Sequence, residues 1–468
     1  MTDRAGGRPL AAAAAALVAG VAALTIAAFG VAHADARQEV DARAFLSWAR
    51  SAAIPLQALR PTGADTDLAP VAAAIGSARV MALGEPGHGA QQPLAFRNRL
   101  FQYLVIHDGV TAIGLETSFT ESRAVDEFVL GAPGDAATLA RRDLSWGFGR
   151  YEANVQLIQW MRNYNENAHG RRKIHFYGVD MSGAGRGEFT HADITVRSVV
   201  RYLQTVAPES SKSVLQAIGP QLRLMDKMGY WQMALHNGEA VQTMLKPLVA
   251  YLSAHEAALR RASSQSDYDW AAHNLVVAGQ LRDYLRLEAA PEGDSTKISP
   301  FDYRLDNVRD AAMATNVLWA LHEEGSGGRL MVFAHDGHVM NSRSRGGIWS
   351  VYKEAPVMMG AHLRSRLGGQ LVIIATLAAQ SGGGLPTGDP VPDSVEVSLR
   401  SLHMPFFALD LRGARGNEGA MAWLGKRRPI RQNFDTELDV VPDRAFDVVV
   451  LLDRVSRAIM DGKRPWNR

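Results

Sequence analysis

Two stretches of the sequence hold imidazole and carboxylate side chains at spacings suited to moving protons on and off a bound molecule. In Val80-Met81-Ala82-Leu83-Gly84-Glu85-Pro86-Gly87-His88-Gly89, an apolar run gives way to a glycine-rich turn from which Glu85 and His88 leave three residues apart. The glycines permit a tight turn and a close approach of ligand to backbone. In Leu330-Met331-Val332-Phe333-Ala334-His335-Asp336-Gly337-His338-Val339, two histidines again stand three apart just past an apolar run. A third run, ending Ile113-Gly114-Leu115-Glu116, delivers another carboxylate. A histidine near its ordinary pKa of about 6.5 can take a proton from water at neutral pH, and a neighbouring carboxylate fixes its tautomer and raises that pKa. The same nitrogen and oxygen donors would also suit a divalent metal.

Taken singly, each residue has a plainer explanation. A lone histidine after a strand is more often a capping or core hydrogen-bonder, and Glu116 alone reads as a helix N-terminal residue favoured by the dipole. Arg97 and Arg99 lie in the middle of a helical pattern over residues 91–105, where solvent is the expected place for Arg99. What distinguishes Glu85, His88, Glu116, His335 and His338 is their shared position, because ligands bind at the carboxyl ends of strands in open α/β sheets. A buried, charge-paired network that only supports the fold is the alternative.

The elements that must position these residues are short apolar runs alternating with helical patterns. That alternation predicts an α/β fold with a largely parallel or mixed sheet flanked by helices. The expected strands are residues 79–83, 110–115, 173–179, 329–334, 370–376, 405–409 and 446–452, most of them apolar enough to be buried on both faces. Between residues 190 and 289 no strand run occurs and apolar residues recur at helical spacing, as with Trp270, Val277, Leu281 and Tyr284. An all-helical subdomain is therefore expected between two α/β halves, residues 35–189 and 290–468. Breakers at 291–295 mark its exit, and the Gly- and Pro-rich stretch 381–394 reads as a surface loop. Within the helical region, Met225, Met228, Tyr230, Trp231 and Met233 form an adaptable apolar group suited to a lid or wall over the strand ends.

Composition narrows the function classes. The chain has 468 residues, 47% hydrophobic and 21% charged, values that place it among folded proteins. Its 50 basic and 48 acidic residues nearly cancel, which argues for a small-molecule partner over nucleic acid. There is no cysteine, so thiolate nucleophiles and Cys-based metal sites are excluded. Gly-x-Ser-x-Gly, His-Glu-x-x-His and the Walker loop are all absent, and Gly183-Ala184-Gly185-Arg186-Gly187 fails the dinucleotide spacing. At the N-terminus, Arg4 and Arg8, the apolar run 10–31 and Ala32-His33-Ala34 line up as a signal peptide spanning residues 1–34, cut after Ala34. A periplasmic or secreted protein, free of the membrane after cleavage, is expected; an uncleaved anchor is the other reading.

Gly84-Glu85-x-x-His88-Gly89, Arg97, Glu116 and Ala334-His335-x-x-His338-Val339 resemble the conserved elements of the erythromycin esterase family in order and spacing. The resemblance continues through Phe176-Tyr177-Gly178-Val179-Asp180-Met181, Arg309-Asp310-x-x-Met313-Ala314-x-Asn316 and Met359-Gly360-x-x-Leu363, and so runs from about Val80 to the last strand. It implies cofactor-free hydrolysis of a carboxylic ester or lactone by an attacking water, with His88 as general base. Glu85 and Glu116 would orient or polarise His88 and the water, and Arg97 would fix a carboxylate or face developing negative charge. His335 and His338 would stabilise the oxyanion or protonate the departing alcohol. Two positions depart from the family pattern: Pro86-Gly87 in the turn, and Asp336 where Asn is usual, which adds a carboxylate beside two imidazoles. A metal-dependent hydrolase using the same cluster and a non-catalytic metal- or ligand-binding protein are the readings this leaves open.

Overall fold

The apolar runs become strands whose alternate residues feed two separate cores. A computed structural model describes residues 37–61, 65–183, 193–225, 230–288, 303–351, 354–388 and 390–460. Its strands are β1 (Ile54–Pro55), β2 (Val80–Glu85), β3 (Ala112–Ser118), β4 (His175–Asp180), β5 (Leu330–His335), β6 (Leu371–Gly382), β7 (Phe406–Asp410), β8 (Arg428–Gln432), β9 (Thr436–Val440) and β10 (Val448–Ser456). All but β8 and β9 join one sheet in the order β1-β7-β10-β6-β2-β5-β3-β4. From β10 through β4 every neighbour pair is parallel, whereas β7 runs antiparallel to β10 and to β1. The sheet is thus mixed, with a long parallel centre, and all seven strands expected from sequence are present.

Burial on both faces explains why these runs are almost uninterrupted in apolar character. Val80, Ala82, Val332, Ala334 and Ile373 enter one core, with Met313, Val317 and Leu363 from the helices Tyr303–Glu323 and Met359–Leu367. Their sequence neighbours Met81, Leu83, Met331, Phe333 and Ile374 enter the other, with Leu94, Phe101 and Val125 from Gln91–His107 and Phe119–Leu130. Each fully buried Leu, Ile, Val, Met or Phe contributes roughly 1.5–3 kcal/mol. The result is a helix–sheet–helix sandwich.

Between β4 and β5 the described residues form helices and no strand: Asp193–Val206, Lys212–Met225, Tyr230–Ala262 and Gln265–Glu288. They share a third core, including Leu203, Leu245, Leu248, Leu275 and Leu281, which reaches the α/β body at Met181 and Ala312. The leader at 1–34, the breaker segment 291–295 and the side chains of Met225, Met228, Tyr230, Trp231 and Met233 lie outside the described residues. No helix among the described residues is long and apolar enough to cross a membrane.

Arg99 departs from expectation. It is 1% exposed, not solvated, because the segment around β1 and Thr66–Leu68 folds across its helix. Its guanidinium pairs with Asp65 at 3.0 Å and with Asp67 at 2.9 Å, and donates to the Ala58 carbonyl at 2.6 Å. Removing one partner of a buried pair strands the other charge. Arg99→Ala should therefore lower unfolding stability in urea by about 3–5 kcal/mol; a loss below about 1 kcal/mol would mean the pair behaves like a surface ion pair.

Candidate active site

The carboxyl ends of β2, β3 and β5 converge around Glu116. The ladder between β3 and β4 shifts register between Leu115 and Ser118, a bulge that re-aims the strand end at Glu116 and Thr117. Gly178 in β4 makes room for it, since a Cβ there would lie 2.3 Å from the Ser118 carbonyl oxygen. The bulge is pinned by Ser145, whose backbone N–H donates to Thr117 Oγ1 at 2.8 Å and whose Oγ accepts the Ser118 N–H at 3.0 Å. Ser145 opens the turn Ser145–Arg150, which lays Phe148 against the His88 ring, centroids 4.9 Å apart.

Glu116 is 3% exposed and shared among four partners. Its Oε2 accepts the His335 backbone N–H at 2.8 Å. Its Oε1 accepts from Arg309 Nη2 at 2.8 Å and lies 3.4 Å from His338 Nε2 and 3.7 Å from His88 Nε2. Burial opposes its ionisation, but His338, His88 and Arg309 outweigh burial and hold the carboxyl well below the usual carboxylate range.

His88 points its Nδ1 at Glu85 Oε1, 2.8 Å away, leaving Nε2 toward Glu116 and the cavity. Burial opposes protonation of His88, yet Glu116 and Glu85 raise it above its ordinary value. Burial raises Glu85 as well, with His88 the main offset. The turn between them is braced by a hairpin of β8 and β9, two strands absent from those expected: Asn433 N–H donates to the Pro86 carbonyl at 2.7 Å. A Cβ on Gly87 would lie 2.8 Å from Phe434 and 2.9 Å from Asn433 Cα, so the Pro86-Gly87 departure is where the hairpin docks.

The two histidines after β5 take opposite states. His335 Nδ1 accepts the Gly337 N–H at 3.1 Å, which places the ring proton on Nε2, a buried atom with no hydrogen-bond partner among the described residues. Burial, aided by the charge of His88, lowers His335 to about 3. One turn on, His338 Nδ1 meets Asp310 at 2.9 Å. Burial again opposes the charge, but Asp310 and Glu116 lift His338 to about 9. Behind them Arg309 is gripped by Asp180, with Nη2 at 2.7 Å, and lies over the Trp146 ring. Asp180, Arg309 and Asp310 thus belong to the site. The sequence places all three in stretches that carry the family resemblance, without giving them roles.

Two expected residues behave differently. Arg97 is buried, bonds Asn98 Oδ1 at 2.7 and 3.0 Å and lies over the Phe333 ring; it touches neither glutamate and acts on Glu85 only through space. Burial lowers it to about 10. Asp336 turns away from the imidazoles into the core, where its Oδ1 accepts the Thr376 N–H of β6 at 3.2 Å, and burial raises its pKa well above the usual range. It stands apart from the histidines that flank it in sequence. Among the described residues no group of three or more His, Asp or Glu side chains is arranged to hold a metal ion.

A cavity of about 240 Å³ opens onto His88, Glu116, Arg309, His335 and His338, and Gln432, Asn433 and Glu437 of the hairpin also line it. One wall offers a base oriented by a carboxylate, a neutral N–H donor and a cationic imidazole. That set can activate water, receive negative charge on an oxygen and return a proton.

Comparison with known proteins identifies the family and the fold. The family model described as erythromycin esterase matches residues 105–455. The erythromycin esterase type II of Escherichia coli is 23% identical over 303 residues, 64% of this chain and 69% of that protein. A crystal structure of a Bacillus cereus protein superposes with a TM-score of 0.73 at 23% identity, covering 89% of this chain and 98% of that one. An erythromycin esterase mutant in its open conformation gives a TM-score of 0.58 at 17% identity, over 84% of this chain and 95% of its own.

The opposite states of the two histidines can be measured. In an imidazole NMR titration His338 should titrate near 9, and Asp310→Asn should bring it down toward its ordinary value of about 6.5. The folded chain then holds this proton more tightly than the unfolded chain. The associated stability is complete below about 6.5 and is lost as pH rises through about 9. A His338 titrating at or below the ordinary value would contradict the geometry.

Proposed function

The chain belongs to the erythromycin esterase family, and from that premise we propose that it is an exported hydrolase that cleaves a carboxylic ester or lactone with a water activated by His88. The observation that carries the reading is the Glu85–His88 hydrogen bond at 2.8 Å, which occupies Nδ1 and leaves Nε2 as the basic nitrogen facing the shared cavity. Water adds to the ester carbonyl as His88 Nε2 takes its proton, and the carbonyl oxygen becomes an oxyanion. The His335 Nε2–H donates to that oxyanion; being neutral, it does so without competing for the proton His88 must accept. As the carbon–oxygen bond breaks, the His338 cation gives its proton to the departing alkoxide. Glu116 faces both His88 and His338, and Arg309 helps keep Glu116 ionised.

The comparisons support a hydrolase of this family, and the acyl and alcohol parts of the substrate are a separate question, because shared motifs speak to chemistry. Export rests on the leader, with the mature chain beginning at Asp35. The helical region, residues 190–289, is proposed as a lid or wall that selects the substrate.

His88→Asn should fold with a melting temperature within a few degrees of the parent, since the side chain is 34% exposed. It should lose about 10²- to 10⁴-fold in kcat on any ester the parent hydrolyses. For the parent, kcat/KM should fall below the raised pKa of His88 and again above about 9, where His338 loses its proton. Wild-type kcat in the His88 variant would move the base to another residue.

A further inference from the structure

His88 and Asn433 also line a second cavity, of about 440 Å³. The two cavities differ in charge. The first carries Glu116, Asp306 and Glu437 together with Arg309 and His338. The second presents two guanidiniums, Arg150 and Arg457, with Tyr151 and Phe434, and no carboxylate among the described residues that line it.

Arg457 is held by its backbone surroundings. Ser456 N–H donates to Gln92 Oε1 at 2.8 Å, Ala458 N–H to the Gly89 carbonyl at 2.8 Å and Ile459 N–H to Gln91 Oε1 at 2.9 Å. Glu152 N–H donates to the Ile459 carbonyl at 2.9 Å, so the segment is clamped between the starts of the helices Gln91–His107 and Glu152–Glu166. Its guanidinium lies on the backbone of Gly384, where a Cβ would be 3.5 Å from Nε. Tyr151 stands between this cavity and the catalytic turn, with its hydroxyl 2.8 Å from where a Cβ on Gly89 would be. Burial and Glu85 push the phenol up to about 12 against the pull of Arg457 and Arg150, so the hydroxyl stays a neutral donor that can share an anion with them.

We propose that the second cavity is an anion subsite: Arg457 and Arg150, with the Tyr151 hydroxyl, bind a carboxylate carried by the substrate, and the ester cleaved at His88 belongs to an acidic molecule. The inference rests on the hydrolase reading for its second half only. Guanidinium suits the task because its planar fork matches a carboxylate.

The test separates binding from turnover by using amides that resist hydrolysis. Calorimetry on the intact protein should show glutaric acid monoanilide binding about tenfold or more tightly than the neutral valeranilide, with the preference weakening in salt. Arg457→Ala should abolish that preference, and Arg150→Ala should reduce it. Equal affinity for the two anilides, no measurable binding of the anionic one, or an unchanged preference in both variants would overturn the proposal. The matching phenyl esters then report on the reaction: the parent should favour the glutarate ester through KM. Arginine-dependent binding of the anilide with no hydrolysis of either ester would leave the subsite standing and remove the hydrolase reading. His88-dependent hydrolysis of both esters at equal kcat/KM would do the reverse.

Discussion

A carboxylate buried to 3% exposure cannot stay charged without compensation, and Glu116 is compensated four times over. One oxygen takes the His335 backbone N–H, while the other faces Arg309, His338 and His88 within 3.7 Å. Each of those partners imposes a further demand. Arg309 has more N–H donors than Glu116 can satisfy and also bonds Asp180 from β4. His338 is pinned by Asp310 from the same helix as Arg309. His88 is turned by Glu85. Four strand ends and the helix Tyr303–Glu323 are therefore fixed relative to one another by one shared charge, and the bulge in β3 is the local distortion that delivers it.

Burial and Asp310 sort the histidines. His335 and His338 stand three residues apart on one short turn, and a sequence alone gives no reason to assign them different states. Their surroundings do: His335 is lowered by burial and by the charge of His88, whereas His338 is raised by Asp310 and Glu116 against its burial. Separated pKa values let one site hold a neutral N–H donor and a proton-bearing acid at one pH. Arg97, which the spacing made a natural partner for a glutamate, instead sits beneath the site on Phe333 and tunes Glu85 from a distance.

The sheet was legible because its strands are buried on both faces, which leaves continuous apolar runs such as Val80–Glu85 and Leu330–His335. Glu85, His88, Glu116, His335 and His338 were legible for a related reason: polar residues ending an apolar run mark a strand end. The hairpin of β8 and β9 was not. Its turn uses left-handed backbone at Asn433 and Phe434, φ 52° and 70°, without a glycine, and Pro429 and two arginines interrupt the alternation of its first strand. Arg309 and Asp310 sit inside a helix, where charged residues ordinarily read as solvent-facing. Their burial depends on β4 and β5, which are far away in sequence. Asp336 failed in the opposite sense, since adjacency to two imidazoles says nothing about which face of the chain it leaves.

The charge of Glu116, more than its shape, organises the site. Glu116→Gln keeps the volume and retains an acceptor for the His335 N–H while removing the charge. The decisive measurement is the pH dependence of kcat/KM for this variant beside its imidazole titration. The account predicts a folded protein in which His88 and His338 both titrate lower than in the parent and turnover falls by about 10²-fold or more. A folded variant with parental kcat/KM and unshifted histidines would contradict it.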